Sequence, residues 1–161
     1  MIHTVNDIDM HYIRYGNKKG QTLVFLHGWG QNIEMMTPVA NPFQEEYDII
    51  VVDLPGHGES KEPTNVLLID DFVECIKSLL DSLKIKKPIL IGHSFGGKIS
   101  LLYASKYEVE KLILFGSPFK KEIEKLSFKT KMLKQLKKVP GLNKFENFAK
   151  RHIGSTDYKN A

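Results

Sequence analysis

Short apolar runs alternate along the chain with longer segments in which apolar residues recur at helical spacing. The apolar runs predict six strands. The first two, joined at Asn6-Asp7, predict a hairpin at a sheet edge, whereas the later unbroken runs are typical of interior strands covered on both faces. The six predicted strands cover residues 2–5, 10–15, 22–26, 48–52, 88–91 and 111–115.

Three segments between these strands predict helices. Residues 32–46 contain Pro38 and Pro42, so we expect a short, broken helix there. Residues 65–83 keep the i, i+3, i+4, i+7 rhythm of a helix that packs on a core, and a third helix follows residues 88–91. Strands that alternate with helices indicate the α/β class, with a mostly parallel sheet, helices on both faces and ligands at the carboxyl ends of the strands.

The rhythm changes after Pro118, where only helical periodicity remains. We therefore divide the chain into an α/β core, residues 1–118 with strands 1 to 6, and a helical cap, residues 119–161, lying over the carboxyl ends of the strands. Residues 120–151 hold eleven Lys and Arg against three Glu, so the basic charge is concentrated there. A basic amphipathic helix at a membrane surface and a flexible tail are the alternative interpretations of this segment.

Composition narrows the functional class. The chain has 161 residues, 42% hydrophobic and 26% charged, as expected for a globular domain. Neither a leader nor a membrane-spanning apolar run is visible, so we expect a cytoplasmic protein without stable membrane insertion. No zinc spacing, nucleic-acid motif or phosphate-binding loop accompanies the lysines, so we expect no metal, no cofactor and no nucleic-acid partner. The single cysteine, Cys75, lies on an apolar helical face and is predicted to be a packed thiol.

The sequence Gly92-His93-Ser94-Phe95-Gly96-Gly97 lies where a predicted strand passes into a predicted helix. Gly-x-Ser-x-Gly in that context is the nucleophile elbow, in which the serine sits on a sharp turn with its hydroxyl raised above the sheet. Glycines are needed two residues to either side, because a Cβ there would collide with a neighbouring strand or helix. We therefore predict Ser94 as a catalytic nucleophile, with Gly92 and Gly96 as supporting positions.

Two further loops follow predicted strands and carry polar motifs. His27-Gly28-Trp29-Gly30 comes after residues 22–26, and Asp53-x-Pro-Gly-x-Gly-x-Ser60 comes after residues 48–52. Together with the elbow, and in this order, these motifs resemble the α/β-hydrolase fold family, in the group with a helical cap after the sixth strand. The resemblance runs from about Ile8 to the end of the chain.

The resemblance implies a serine hydrolase. Ser94 would attack an acyl or similarly activated carbonyl of a small-molecule substrate, and the backbone N–H groups of Trp29 and Phe95 would form the oxyanion hole. His27 and Gly28 would shape their loop, and His93 would adjoin the serine with its side chain turned elsewhere. Carboxylesterase-like, lipase-like and carbon–carbon bond hydrolysis all fall within this range, because the fold does not fix the substrate.

The resemblance also implies an acid and a histidine base after the serine, and the sequence offers neither in the expected place. Only His152 follows Ser94, in the predicted cap, and the sixth strand ends in Gly116-Ser117-Pro118. The family's last two strands have no counterpart, so we expect the amino-terminal part of a hydrolase, incomplete at its carboxyl end and inactive alone. Its sixth strand would be an exposed apolar edge open to self-association. The alternatives are a non-catalytic binding module or one half of a two-chain enzyme.

Overall fold

The structure is a computed structural model and describes residues 1–117. Its strands all belong to one sheet, and its helices connect the later strands. The predicted cap, residues 119–161, and His152 within it lie outside the described residues. In chain order the elements are β1 (Ile2–Val5), β2 (Ile8–Gly16), β3 (Thr22–Leu26), α1 (Ile33–Ala40), a 3₁₀ turn (Asn41–Phe43), β4 (Asp48–Val52), α2 (Ile69–Ser82), β5 (Ile89–His93), α3 (Phe95–Lys106) and β6 (Lys111–Phe115).

The sheet runs in the order β1-β2-β4-β3-β5-β6. The hairpin of β1 and β2 is antiparallel and pairs with β4, while β4, β3, β5 and β6 are parallel. This confirms the predicted α/β class with a mostly parallel sheet. Since β3 lies between β4 and β5, the loops that follow these three strands meet at one edge of the sheet.

Helices cover both faces of the sheet, also as predicted. Successive residues of β3 and β4 point to opposite faces, and all of β4 is buried. One face packs against α2 and α3, around Phe72, Ile76 and Tyr103. The other packs against α1, through Ile33, Met36 and Ala40. Cys75 is buried in the first of these cores, and burial raises the pKa of its thiol to about 11, so the prediction of a packed thiol holds.

The bounds of the first two helices differ from those predicted from the sequence. The broken helix over residues 32–46 is an eight-residue α1 that carries Pro38, followed by the 3₁₀ turn. The second helix begins at Ile69 and not at residue 65. The cause is local, because the Asp71 carboxylate accepts the Leu68 N–H at 2.7 Å and caps the helix there.

Strand β6 forms one edge of the sheet in the part of the chain that the structure describes. Its side chains are only partly covered, with Ile113 48% and Phe115 38% exposed. The predicted apolar edge is therefore present within residues 1–117, while self-association through it stays a prediction. None of the helices in this range combines the length and apolar character needed to cross a bilayer.

Candidate active site

Ser94 occupies the junction between β5 and α3 with an unusual backbone conformation. Its φ and ψ are 48° and −107°, a combination that costs a non-glycine residue on the order of 1–3 kcal/mol. The surrounding structure imposes it, because the Ser94 N–H donates to the Phe115 carbonyl at 3.1 Å and the next residue already starts the helix. The serine is half-buried. A strained, partly accessible serine at this position is what the elbow motif predicts.

The glycines around Ser94 allow the backbone to pack this closely. A Cβ on Gly92 would lie 2.5 Å from the Gly97 Cα, and one on Gly96 would lie 2.5 Å from the His27 carbonyl oxygen. Both contacts are with backbone, which cannot move aside as a side chain can. The structure thus places each glycine against the neighbour expected from the sequence, Gly92 against the helix and Gly96 against the adjoining strand.

The loop that follows β3 lies directly against Ser94. A Cβ on Gly28 would lie 3.3 Å from the Ser94 Cβ and 2.9 Å from the His93 Nδ1. The Gly96 N–H also donates to the His27 carbonyl at 3.0 Å and joins α3 to this loop. The His-Gly-Trp-Gly loop and the elbow, 66 residues apart in the sequence, therefore form one continuous site.

Two backbone donors beside Ser94 are left without an acceptor. Within residues 1–117, neither the Trp29 N–H nor the Phe95 N–H has a hydrogen-bond partner, although the neighbouring Gly28 and Gly96 N–H groups do. Phe95 is the first residue of α3, so its N–H also lies at the positive end of a helix. Free amides at a helix N-terminus and in the adjacent loop are suited to holding an anion.

His27 fixes the direction of the Trp29 N–H. The Leu54 N–H donates to His27 Nε2 at 3.0 Å, so the ring proton is on Nδ1, which donates to the Gly28 carbonyl at 2.7 Å. That carbonyl and the Trp29 N–H belong to one planar peptide, so holding one orients the other. His27 is fully buried, and burial lowers the pKa of its ring. It is thus a neutral structural element of the loop.

The histidines of residues 1–117 are all engaged away from Ser94. His93 Nδ1 lies 2.9 Å from Gln31 Oε1, and His57 Nδ1 lies 3.0 Å from the Pro55 carbonyl. His3 contacts Ser78, and His11 contacts Asp53. Within the described part of the chain, no side chain is hydrogen-bonded to the Ser94 hydroxyl. His93, for which the sequence predicts a side chain turned away from the serine, is hydrogen-bonded to Gln31 and not to the Ser94 hydroxyl.

Asp53 organises the third loop of the site. Its Oδ1 accepts the Ile33 N–H at 2.8 Å, and its Oδ2 accepts the Glu59 N–H at 3.0 Å and lies 2.9 Å from His11 Nδ1. The side chain is buried, and these contacts join β2, α1 and the loop after β4. Its part is therefore structural. Sequence reasoning missed the His11 contact, and the one available signal was an aspartate directly after a buried strand.

Aromatic rings extend from the His-Gly-Trp-Gly loop to the core. The Trp29 ring packs edge-on against Phe95 at 5.3 Å and His57 at 5.0 Å, and Phe95 packs against Phe72 at 5.1 Å. Trp29 itself is 70% exposed. Among residues 1–117 no cluster of three His, Cys, Asp or Glu side chains could hold a metal ion.

Comparisons with known proteins agree with this geometry. The family model described as "alpha/beta hydrolase fold" matches residues 21–147. The Uncharacterized hydrolase YugF of Bacillus subtilis is 35% identical over 99 residues, which are 61% of this chain and 36% of that protein. Epoxide hydrolase 4 of Mus musculus is 34% identical over 112 residues, 67% of this chain and 31% of that protein. The chain thus spans about a third of the length of these relatives.

A solved structure gives the same result in three dimensions. Est816, described as an N-acyl homoserine lactone degrading enzyme, superposes with a TM-score of 0.69 at 26% identity, over 73% of this chain and 45% of that one.

Proposed function

This chain belongs to the alpha/beta hydrolase fold family, and on that premise we propose that it carries the nucleophile and oxyanion hole of a serine hydrolase. The enzyme would act on an ester or related acyl bond through an acyl-enzyme on Ser94. The observation that carries the proposal is the strained Ser94 beside two backbone N–H groups, of Trp29 and Phe95, that have no acceptor within residues 1–117.

In the proposed reaction the Ser94 oxygen attacks the carbonyl carbon while a base takes its proton. The carbonyl oxygen becomes an anion, which the Trp29 and Phe95 N–H groups hold. The bond from carbon to the leaving group then breaks, and the leaving group takes the proton from the base. Water attacks the resulting ester in the same way, which releases the acid and returns the proton to Ser94.

The proposal takes the base and the acid from outside residues 1–117. The support is that the five histidines in this range have other partners, and that buried His27 is held neutral. His152 is the one remaining histidine of the sequence. It lies outside the described residues, so the proposal does not depend on it.

The serine itself favours acyl substrates over epoxides, although one relative is named an epoxide hydrolase. An epoxide that alkylated Ser94 would leave an ether on the enzyme, and water does not cleave an ether under mild conditions. Acylation leaves an ester, which water cleaves in the second half of the cycle. Esters, lactones, thioesters and activated ketones are therefore the substrate classes that we propose.

The test is covalent labelling of the native gene product with a fluorophosphonate in extracts of its own cells. We expect the label on Ser94, located by mass spectrometry of the peptide around residues 88–106, and its loss in Ser94→Ala. Ser117→Ala is the matched control, because Ser117 contacts the Ser94 carbonyl at 3.2 Å and lies outside the proposed chemistry.

Mass and labelling together separate the alternatives. A labelled product well above 18.4 kDa would carry the base and acid in the same chain. A product of 18.4 kDa that labels only in complex with a second protein would be half of a two-chain enzyme. Folded native product that takes no label under any of these conditions would overturn the proposal and leave a non-catalytic binding role.

A further inference from the structure

We infer that Gln31 is a positioning residue for acyl transfer, because its side chain holds the Gly28 N–H, in the peptide before the Trp29 donor, and ties this loop to His93 beside the nucleophile. The inference rests on the proposed function. It adds to that function a residue that touches neither the substrate nor the reacting atoms but determines where one oxyanion donor lies.

Gln31 contacts the oxyanion loop from two sides. Its Oε1 accepts the Gly28 N–H at 2.9 Å, and its own backbone N–H donates to the Gly28 carbonyl at 3.2 Å. The Gly28 carbonyl belongs to the same planar peptide as the Trp29 N–H. His27 and the Gln31 backbone N–H therefore both hold this peptide by its carbonyl, and the Gln31 side chain holds the preceding peptide by the Gly28 N–H.

The same Gln31 oxygen reaches across to the elbow. His93 Nδ1 lies 2.9 Å from Oε1, although the two residues are 62 positions apart. The Gly28 N–H can only donate, so the amide atom facing it must be the oxygen. His93 Nδ1 must then carry a proton and donate it to the same oxygen. The result is a hydrogen-bonded link, Gly28 to Gln31 to His93, between the loop and the residue next to Ser94.

His93 is held firmly enough to serve as the fixed end of this link. Its ring packs against Phe115 with the ring centres 5.0 Å apart. Its Nε2 faces the end of β6, where a Cβ on Gly116 would lie 3.0 Å away. Through His93, Gln31 thus fixes the position of the oxyanion loop relative to β5 and β6. These two strands also position Ser94.

Positioning of this kind has a large effect on rate. Loss of one oxyanion donor costs about 10²- to 10³-fold in turnover, and a misplacement of about 1 Å costs about 10²-fold. Gln31 is a better probe of the effect than His27. Replacing His27 would also leave the buried Leu54 N–H without its acceptor, and so would damage the core as well as the loop.

The experiment compares Gln31→Met, which keeps the length of the side chain but has no acceptor, with Gln31→Glu, which keeps the acceptor. For the complete gene product and a small ester, we expect Gln31→Met to lower kcat by about 10- to 100-fold with KM within about threefold of the wild-type value. Gln31→Glu should recover kcat to within about fivefold. Gln44→Met, at an exposed glutamine on the 3₁₀ turn's end, is the matched control.

A second readout follows the loop itself. Trp29 is the single tryptophan of this chain and lies in the oxyanion loop, so its fluorescence reports on the mobility of that loop. We expect lower fluorescence anisotropy in Gln31→Met, because the loop is released, and wild-type anisotropy in Gln31→Glu and Gln44→Met.

The outcomes separate this inference from the function on which it rests. Wild-type kcat in folded Gln31→Met, or an equal loss in the Met and Glu variants, would overturn the inference and leave the proposed function standing. A change in KM alone would also overturn it, because a displaced oxyanion donor acts on the transition state. Absence of any Ser94-dependent turnover in the wild type would overturn the proposed function, and with it the catalytic part of Gln31.

Discussion

Strand β4 has a buried aspartate at each end, and the two aspartates are used differently. Asp48, its first residue, accepts two hydrogen bonds from the Arg14 guanidinium, at 3.0 and 2.9 Å, and a third from the Thr22 hydroxyl. Asp53, directly after its last residue, accepts backbone N–H groups and contacts His11. The Asp48 carboxylate stabilises the amino end of the parallel strands through an ion pair with Arg14. The Asp53 carboxylate holds the loops at their carboxyl end.

The contrast extends to the groups around each aspartate. In the described part of the chain every buried side-chain nitrogen and oxygen has a hydrogen-bond partner. Two backbone N–H groups at the carboxyl end, those of Trp29 and Phe95, have no acceptor within residues 1–117 and lie next to the strained Ser94. Strain and unpaired donors cost stability, so finding both together beside Ser94 indicates a region available for chemistry.

The largest effect should come from filling the close contact at the carboxyl end. In Gly96→Ala the new methyl group would meet the backbone of β3 at Leu26 and His27. We expect a loss of about 3 kcal/mol in the free energy of unfolding, or failure to fold, measured by urea denaturation and soluble yield. Lys98→Ala, at an exposed position of the same helix, should change stability by less than about 0.5 kcal/mol. A Gly96→Ala protein of wild-type stability would show that this end is loosely packed.

The two aspartates that flank β4 should respond differently to replacement by asparagine. Asp48→Asn removes the charge that pairs with Arg14, whose side chain is 23% exposed, and should cost about 2 kcal/mol of stability. Folded Asp48→Asn should still label at Ser94 at the wild-type rate. Asp53→Asn should cost about the same, because one backbone N–H loses its acceptor, but should also slow labelling by about tenfold. Equal labelling rates in the two variants would contradict the expectation that Asp53, unlike Asp48, affects the reactivity of Ser94.

The smallest effect is a pH dependence that arises at the carboxyl end. Burial lowers the pKa of His27 from its ordinary value of 6.5, and burial also lowers that of His3. Below pH 6.5 the unfolded chain therefore binds more protons than the folded one. The free energy of unfolding is therefore highest above pH 6.5, the pKa of an unfolded histidine. It decreases as the pH falls from 6.5 through the lower pKa values that these histidines have in the folded protein.

Urea midpoints between pH 5 and 8 measure this dependence. His27→Asn should flatten the slope below pH 6.5, and His3→Asn, with the ring that contacts Ser78, should leave most of it. A wild-type midpoint that stays constant across this range would contradict the expectation.

Much of the fold could be predicted from local sequence patterns. The apolar runs gave β3, β4 and β6 with the bounds observed, because strands buried on both faces leave an unbroken signal. The start of α2 was wrong by four residues. Leu68 fits the helical rhythm but lies outside the helix and is 68% exposed, since Asp71 caps the backbone there. The start of α2 is therefore set by this capping contact and not by the apolar periodicity.

The sequence could predict those parts of the candidate site that are formed by residues close together in the chain. It could not predict contacts between residues far apart in the chain. The elbow and loop motifs that contain Ser94, Trp29 and Phe95 are each continuous in the chain, so the sequence could place these residues at one edge of the sheet. The contacts of Gln31 with His93 and of His11 with Asp53 link residues 62 and 42 positions apart. They exist only once β5 and β2 have taken their places beside β3 and β4, and no local pattern encodes that register.

The pairing of β3 with β5 also determines when the site can form during folding. The register sets Leu23 against Ile89 and Leu26 against Gly92, so the two halves of the site meet only when segments 66 residues apart have joined. Parallel pairing at such separation closes a long loop and is among the slow steps of folding. Partly folded forms without the β3–β5 contact therefore do not have the Trp29 and Phe95 N–H groups at one site. A nascent chain can therefore bring Ser94 and the loop after β3 together only when the interior strands β3 and β5 of its sheet have paired.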